Sequence, residues 1–184
     1  MRRCPVVCWF LHRVTNRTCE TLDNVIDNHV TVSVVIPTYN SARFLASAIE
    51  SVLGQSERPD EIIVVDDGST DGTSDVLGRY GARIAVVTHP RNRGLPSARN
   101  SGIRVAAGSV IGFLDADDVW EPSMVEKQKR AFVTHETLGL CFTSLWDCDA
   151  GLMPLRGPRK FRRRVCEAVF SELYMRAFPM PPST

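Results

Sequence analysis

The sequence predicts an α/β fold in which a mostly parallel sheet is flanked by helices. Short β-branched apolar runs alternate with segments whose apolar residues recur every three or four positions. Strands that alternate with helices are typical of βαβ units, and such units build parallel sheets. Two of the apolar runs also end in clusters of carboxylates, which favours an open sheet that binds ligands at the carboxyl ends of its strands.

The composition is that of one globular domain. The chain has 184 residues, of which 43% are hydrophobic, and its 22 basic and 21 acidic residues give a formal net charge of +1. This length is enough for one domain with a core. The balance of charge argues against nucleic acid as a partner. The six cysteines form no CxxC pair, so neither a zinc ribbon nor a thioredoxin-like site is predicted.

The alternation of strands and helices begins abruptly at Val32. The first strand is predicted over residues 32–36, where Pro37 stops a β-branched run. A helix follows, with Ser41 as its N-cap and Gly54 at its end. The other predicted strands cover residues 61–65, 84–87, 110–114 and 138–145, and the other predicted helices cover residues 73–80, 97–107, 122–133 and 166–177.

The N-terminal region differs from the rest of the chain. Residues 1–31 show the period of neither a helix nor a strand, so we expect them to form an atypical extension. The apolar stretch from Pro5 to Leu11 is shorter than a membrane span and is followed by two basic residues. A poor signal peptide is the alternative interpretation. The sequence therefore predicts a cytoplasmic location.

Carboxylates follow two of the predicted strands. Asp66 and Asp67 end the second strand, and Asp115, Asp117 and Asp118 follow the fourth. Side chains at the carboxyl ends of parallel strands emerge at one edge of the sheet. Carboxylate oxygens are suitable ligands for a hard divalent cation, and three carboxylates within four positions repel one another unless something compensates their charge. The pattern favours a site for a cation together with a nucleotide.

The segment around Asp66 and Asp67 is called here the first acidic turn, and the segment from Asp115 to Asp118 the second. Two other interpretations of the first acidic turn remain. One is a solvated turn whose side chains cap the following helix. The other is a calcium loop, because Asp67, Ser69 and Asp71 imitate the start of an EF-hand. The position of the closing glutamate of that loop is occupied by Gly78, so the spacing argues against calcium.

Four motifs follow one another along the chain: VVIPTYN (34–40), VVDDGSTD (64–71), GLPSARNSGI (94–103) and FLDADD (113–118). They resemble the successive signatures of family 2 glycosyltransferases, an inverting group with the GT-A fold. Their order and spacing match over residues 32 to about 145. The resemblance implies that residues 32–184 form a C-terminally incomplete nucleotide-sugar-binding domain.

The resemblance also implies a reaction. Such an enzyme transfers a sugar with inversion from a nucleotide-diphosphate donor, and UDP is the favoured nucleotide. The acceptor is a saccharide or a lipid-linked molecule, in polysaccharide or cell-envelope biosynthesis. The alternative is a non-catalytic fragment that binds nucleotide-sugar. An inverting transfer needs a general base. In the family this carboxylate lies in the acceptor half, so the resemblance implies that it lies beyond Thr184.

The resemblance assigns a nucleobase pocket to the first two motifs. Pro37, Thr38 and Tyr39 would line it, and the Tyr39 ring would offer an apolar face to a flat base. A core tyrosine is the alternative for this residue. Asp67 would accept a hydrogen bond from the base, and Asp66 would face the ribose.

The last two motifs would bind the diphosphate. The resemblance implies that Asp115, Asp117 and Asp118 are the ligands of Mg²⁺ or Mn²⁺, with Asp117 the first choice for a ligand or a ribose contact. Arg99 would approach the diphosphate or the base from its helix. An ion pair at the surface is the alternative for Arg99.

A basic cluster runs from Arg159 to Arg164. Charged runs are most often solvated faces of a protein. The alternative is contact with anionic lipid headgroups, because each basic residue near an anionic surface contributes about 1 kcal/mol. That interpretation predicts peripheral binding at the inner face of the plasma membrane.

Overall fold

The computed structural model describes residues 9–12, 30–135, 138–143, 148–149, 153 and 155. These residues form a six-stranded sheet and four α-helices. A 3₁₀ turn at Gly81–Arg83 precedes the fourth strand. The strands are β1 (Trp9–His12), β2 (Val32–Thr38), β3 (Glu61–Asp66), β4 (Ala85–Thr88), β5 (Val110–Phe113) and β6 (Leu140–Phe142), and the helices are α1 (Ala42–Leu53), α2 (Thr73–Gly78), α3 (Leu95–Val105) and α4 (Met124–Thr134).

The strand order in the sheet is β4-β3-β2-β5-β1-β6. The first four of these strands pair in parallel. β1 lies between β5 and β6 and pairs with both in antiparallel fashion. The predicted α/β fold with a mostly parallel sheet is therefore confirmed, and it places the carboxyl ends of four parallel strands at one edge.

The central strands are buried on both faces. Every residue of β2 is buried. Val34 and Ile36 belong to the larger of two apolar clusters, together with residues of α1 and α2, whereas Val35 belongs to the smaller cluster with Ala98 of α3. Side chains alternate between the two faces of a strand, and a parallel sheet is covered by helices on both faces. An apolar run without alternation is the expected sequence of such a strand.

Small residues allow α3 to lie directly on the sheet. The buried residues of α3 are Ala98, Ser101 and Gly102. A Cβ atom at Gly102 would overlap with the side chain of Val35. The helix begins at Leu95, two residues earlier than predicted, because Pro96 fits the first turn of a helix. This close packing fixes Arg99 near the end of β5.

The N-terminal region differs from the prediction. Phe10 of β1 is 0% exposed, and its ring centroid lies 5.3 Å from that of Trp120. Gly112 of β5 leaves room for these rings, because a Cβ atom there would come within 2.7 Å of Phe10. Part of the predicted extension is therefore a strand of the sheet. The sequence of β1, WFLH, lacks the β-branched residues that mark the equally short strands β4 and β5.

The other boundaries differ from the predictions by a few residues. α1 begins after Ser41 and ends before Gly54, as predicted. Within the described residues 138–143 of the fifth apolar run, the strand β6 covers three residues. The helix predicted over residues 166–177 and the basic cluster from Arg159 to Arg164 lie outside the described residues. Among the residues that the structure describes, no helix is long and apolar enough to cross a membrane.

Candidate functional site

The segments that follow β2, β3, β4 and β5 lie side by side at one edge of the sheet. The N–H of Asp67 donates to the carbonyl of Thr38 at 2.9 Å, and the N–H of His89 donates to the carbonyl of Asp66 at 2.8 Å. In open α/β sheets ligands bind at this edge. Apart from Arg99, which α3 supplies, every residue assigned to the site above belongs to β2, to β3 or to the segments that follow β2, β3 and β5.

The segment after β2 carries an exposed aromatic ring beside a buried hydroxyl. Tyr39 is 45% exposed, so the alternative of a core tyrosine is wrong. Thr38 is 3% exposed, and its Oγ1 atom is buried without a hydrogen-bond partner. Pro37 is buried within β2. The exposed Tyr39 ring is available to a flat ligand, while Thr38 offers a polar atom that nothing in the described protein satisfies.

Asn40 joins the segments after β2 and β3 by hydrogen bonds. Its backbone has a φ of 49°, a conformation that asparagine tolerates better than most residues. The Asn40 N–H donates to Ser69 Oγ at 2.9 Å, and the Thr70 N–H donates to Asn40 Oδ1 at 2.8 Å. Asp66 is buried and accepts the N–H of Ser69 at 3.0 Å, so its carboxylate also shapes this turn.

The first turn of α1 is capped by a residue of the neighbouring segment. Ser41 occupies the predicted N-cap position, but its hydroxyl donates to the carbonyl of Tyr39. The N–H of Ala42 donates instead to Asp71 Oδ2 at 3.1 Å. Hydrogen bonds, first of all from the Thr73 hydroxyl, lower the pKa of Asp71. Asp71 therefore joins the turn after β3 to the start of α1.

Asp67 binds the loop of residues 89–94, called here the β4–α3 loop. Asp67 is 3% exposed, and its carboxylate accepts His89 Nδ1 at 2.5 Å, the N–H of Arg93 at 3.0 Å and the N–H of Gly94 at 2.7 Å. Burial by itself would raise the pKa of Asp67, but these hydrogen bonds, that from His89 foremost, outweigh burial and lower the pKa below its ordinary value. A charged carboxylate thus holds the loop.

His89 and Ser101 are residues of this site that were not predicted from the sequence. His89 Nε2 lies 2.9 Å from Ser101 Oγ, and the two residues are 5% and 8% exposed. The signal that identifies His89 is its position one residue after β4. Because β4 is parallel to β3, this position lies at the same edge as Asp67. No comparable signal marks Ser101 within its helix.

Arg99 forms an ion pair with the first carboxylate of the second acidic turn. Its Nη2 atom lies 2.8 Å from Asp115 Oδ1, and both side chains are about one third exposed. The guanidinium also lies over the ring of Phe113, 5.8 Å from its centroid. The ion pair that the sequence analysis gave as the alternative for Arg99 is therefore present.

The three carboxylates of the second acidic turn differ in exposure. Asp115 is partly buried, Asp117 is exposed and Asp118 is 4% exposed. In the described part of the chain, no three side chains of His, Cys, Asp or Glu form a ready-made metal site. Mg²⁺ is commonly bound by one or two carboxylates together with substrate phosphates, and a pair such as Asp115 and Asp117 fits that kind of site.

A cavity of about 440 Å³ lies elsewhere in the molecule. Its walls include Arg58, Asp60 and Arg83, and it opens beside Glu61 at the amino end of β3. This is the edge opposite the acidic turns. Because ligands of parallel sheets bind at the carboxyl ends of the strands, we assign the candidate site to the acidic edge.

Several glycosyltransferases are similar in sequence to the part of the chain that contains the candidate site. The chain is 41% identical over 112 residues to the uncharacterized glycosyltransferase alr2836 of Nostoc sp. (strain PCC 7120), a match that covers 59% of this chain and 35% of the relative. It is 41% identical over 115 residues to the putative teichuronic acid biosynthesis glycosyltransferase TuaG of Bacillus subtilis (strain 168), covering 61% of this chain and 45% of the relative. The matched regions thus span between a third and a half of these relatives.

The fold is similar to that of a solved glycosyltransferase. S. aureus TarS, residues 1–349, superposes with a TM-score of 0.54 and 29% sequence identity over 58% of this chain and 33% of TarS. The same fragment has been solved with UDP and with UDP-GlcNAc. The likeness to TarS supports the GT-A type of the sheet.

The family model for glycosyl transferase family 2 matches residues 33–156, well over half of the chain. Apart from Val32 at the start of β2, this range contains the parallel strands and both acidic turns. The chain belongs to glycosyl transferase family 2.

Proposed function

We propose that this chain contains the donor-binding part of a metal-dependent, inverting glycosyltransferase that uses a UDP-sugar. One observation carries the proposal: the exposed Tyr39 ring, the pair of Arg99 with Asp115, and the exposed Asp117 share the carboxyl edge of one parallel sheet. The UDP and UDP-GlcNAc complexes of TarS support the choice of nucleotide.

The nucleobase would bind next to the segment after β2. Tyr39 would stack on the base, and the buried Thr38 hydroxyl would gain the hydrogen-bond partner that it lacks in the described protein. Pro37 would form the apolar floor of the pocket. Asp67 would accept a hydrogen bond from the base, through a lone pair that its hydrogen bonds to the β4–α3 loop leave available. Asp66 would contact the ribose in the same way, beside its hydrogen bond from the turn after β3.

The diphosphate would bind next to the second acidic turn. A bound Mg²⁺ or Mn²⁺ would neutralise the charge that develops on the leaving diphosphate. Asp115 and Asp117 would hold the ion, and Asp118, which is buried, would complete the set as the third proposed ligand. Arg99, which forms an ion pair with Asp115, would add its positive charge to the diphosphate.

The proposed acceptor follows from a relative of this chain. A saccharide or lipid-linked acceptor in cell-envelope biosynthesis is supported by TuaG, whose name assigns it to teichuronic acid biosynthesis. The general base is proposed to lie beyond Thr184. A cytoplasmic location, and contact of the cluster from Arg159 to Arg164 with the membrane, stay predictions.

Calorimetric titration of the purified chain with nucleoside diphosphates, with and without Mn²⁺, tests the proposal. We expect UDP to bind more tightly than CDP, GDP and ADP, and we expect Mn²⁺ to strengthen its binding. Equal affinity for all four nucleotides, or no effect of Mn²⁺, would contradict it. Transfer of sugar from UDP-sugars to an acceptor would then distinguish an enzyme from the alternative, a nucleotide-sugar-binding fragment without activity.

A further inference from the structure

A chain of hydrogen bonds runs beneath the candidate site. Arg104 Nη2 donates to Ser101 Oγ at 3.1 Å, Ser101 Oγ lies 2.9 Å from His89 Nε2, and His89 Nδ1 lies 2.5 Å from Asp67. Because an ionised carboxylate only accepts hydrogen bonds, Nδ1 of His89 carries the hydrogen atom in the last of these bonds. His89 therefore connects α3 to the turn after β3.

The β4–α3 loop is pressed against that turn. Gly68 has a φ of 75°, and a Cβ atom there would come within 2.5 Å of the backbone of Arg91. The loop then donates the N–H groups of Arg93 and Gly94 to Asp67. Gly94 immediately precedes α3, the helix that carries Arg99. The Asp67 carboxylate thus fixes the position of the end of the loop, directly before the first turn of α3.

That carboxylate depends on His89. A buried charge costs free energy unless hydrogen bonds compensate it. When one donor is lost, the carboxylate and its remaining donors must shift to restore that compensation. His89 is the side-chain donor to Asp67, and it is itself anchored by its Nε2 atom against Ser101 of α3 and by its N–H on the carbonyl of Asp66. Without the His89 side chain, Asp67 would keep only the backbone N–H groups of Arg93 and Gly94, at the other end of the loop.

We propose that His89 is a positioning residue of the donor site. It holds Asp67, and through Asp67 it holds the β4–α3 loop and the first turn of α3 in the arrangement that binds the nucleotide. His89 is 5% exposed and acts without touching the ligand. This inference rests on the proposed function.

The first test compares UDP affinity, in the presence of Mn²⁺, between His89→Leu and His89→Asn. Leucine cannot donate a hydrogen bond, so we expect the dissociation constant to rise on the order of tenfold. The amide nitrogen of asparagine lies near the position of Nδ1 and can donate to Asp67, so His89→Asn should stay within about threefold of wild type. His135→Leu, at an exposed histidine after α4, is the matched control and should bind as wild type does.

The second test measures hydrogen exchange at the amides of Arg93 and Gly94. We expect protection to be lost in His89→Leu and kept in His89→Asn. If His89→Leu does not fold, a loss of affinity or protection in His89→Asn as large as in Asp67→Asn overturns the inference. Equal affinity in all three histidine variants also overturns it. If wild type binds no nucleotide, the proposed function fails, and the role of His89 in holding the loop is decided by the exchange rates alone.

Discussion

At the residue scale, Asp67 combines a structural task with a proposed role in recognition. Its oxygens accept hydrogen bonds from His89, Arg93 and Gly94. Asp67→Asn keeps the shape of the side chain but replaces one acceptor oxygen with an amino group, which cannot accept a backbone N–H. We expect the free energy of unfolding to fall by about 1 to 3 kcal/mol. Urea unfolding at neutral pH measures the change, and an unchanged midpoint would contradict the role in the loop.

The same variant separates the two roles of Asp67. If the carboxylate also contacts the base, Asp67→Asn loses most of the preference for UDP over CDP. If the carboxylate only fixes the loop, both nucleotides weaken by the same factor. Calorimetric titration of the variant with the two nucleotides decides between these outcomes, because they differ in the ratio of the two affinities and not in their size.

The charge of Asp67 also predicts a dependence of stability on pH. Its pKa is below the ordinary value of 3.8 in the folded chain, so the folded state binds the proton less readily than the unfolded state. The resulting stabilisation is present above pH 3.8 and is lost as the pH falls through the folded pKa. The difference in unfolding free energy between wild type and Asp67→Asn should therefore shrink on acidification. A difference that stays constant below pH 3.8 would contradict this assignment.

Asp117 is the exposed carboxylate of the second acidic turn, and its removal should affect the metal-dependent part of binding. We expect Asp117→Ala to weaken UDP binding at least about tenfold with Mn²⁺ present, because loss of one ligand weakens the compensation of the diphosphate charge. Without Mn²⁺ the variant and wild type should differ little. Asp75→Ala, at an exposed position of α2, is the control. Equal losses in the two variants would remove Asp117 from the site.

At the element scale, β1 extends the sheet beyond β5 and pairs with both β5 and β6. Phe10→Ala removes a ring that is 0% exposed and packs on Trp120, so we expect a loss of about 3 to 5 kcal/mol in unfolding free energy. Val133→Ala, at a side chain that is 44% exposed, should change stability by less than about 0.5 kcal/mol. Chemical unfolding measures both variants, and similar small losses would show that β1 contributes little to the fold.

The elements that the sequence predicted are those whose signal is local. The β-branched runs of β2 and β3, and the apolar stripe of α1, contain enough residues to show their period. β1 was missed because its four residues include no β-branched side chain and because its pairing partner β5 lies about 100 residues away along the chain. Asp115 and Asp117 could be proposed as site residues from the sequence because their motif is contiguous. The contacts of Asp67 with His89 and of His89 with Ser101 join residues 22 and 12 positions apart, and only the folded chain brings them together.

At the scale of the whole molecule, the candidate site lies at the end of the buried central strands of the sheet. β2, β3 and β5 are buried and paired side by side, and their carboxyl ends carry the residues assigned to the donor. Hydrogen bonds of Asn40, Asp71 and Asp67 join the connecting segments to one another. Rigid elements hold binding groups more accurately than free loops do. A nucleotide at this edge would therefore contact segments that hydrogen bonds within the protein already hold together.

Binding at such an edge should stabilise the whole domain. A ligand that binds only the folded chain adds about 2.7 kcal/mol when its concentration is 100 times its dissociation constant, and for a domain of this size that raises Tm by roughly 5 to 10 °C. We expect UDP with Mn²⁺ to produce such a shift in calorimetric melting and expect a much smaller shift with Mn²⁺ alone. In Asp117→Ala the shift at the same concentrations should be smaller, because the affinity is lower. If Mn²⁺ alone raises Tm as much as UDP with Mn²⁺ does, the stabilisation comes from metal binding elsewhere and not from a nucleotide at the acidic edge.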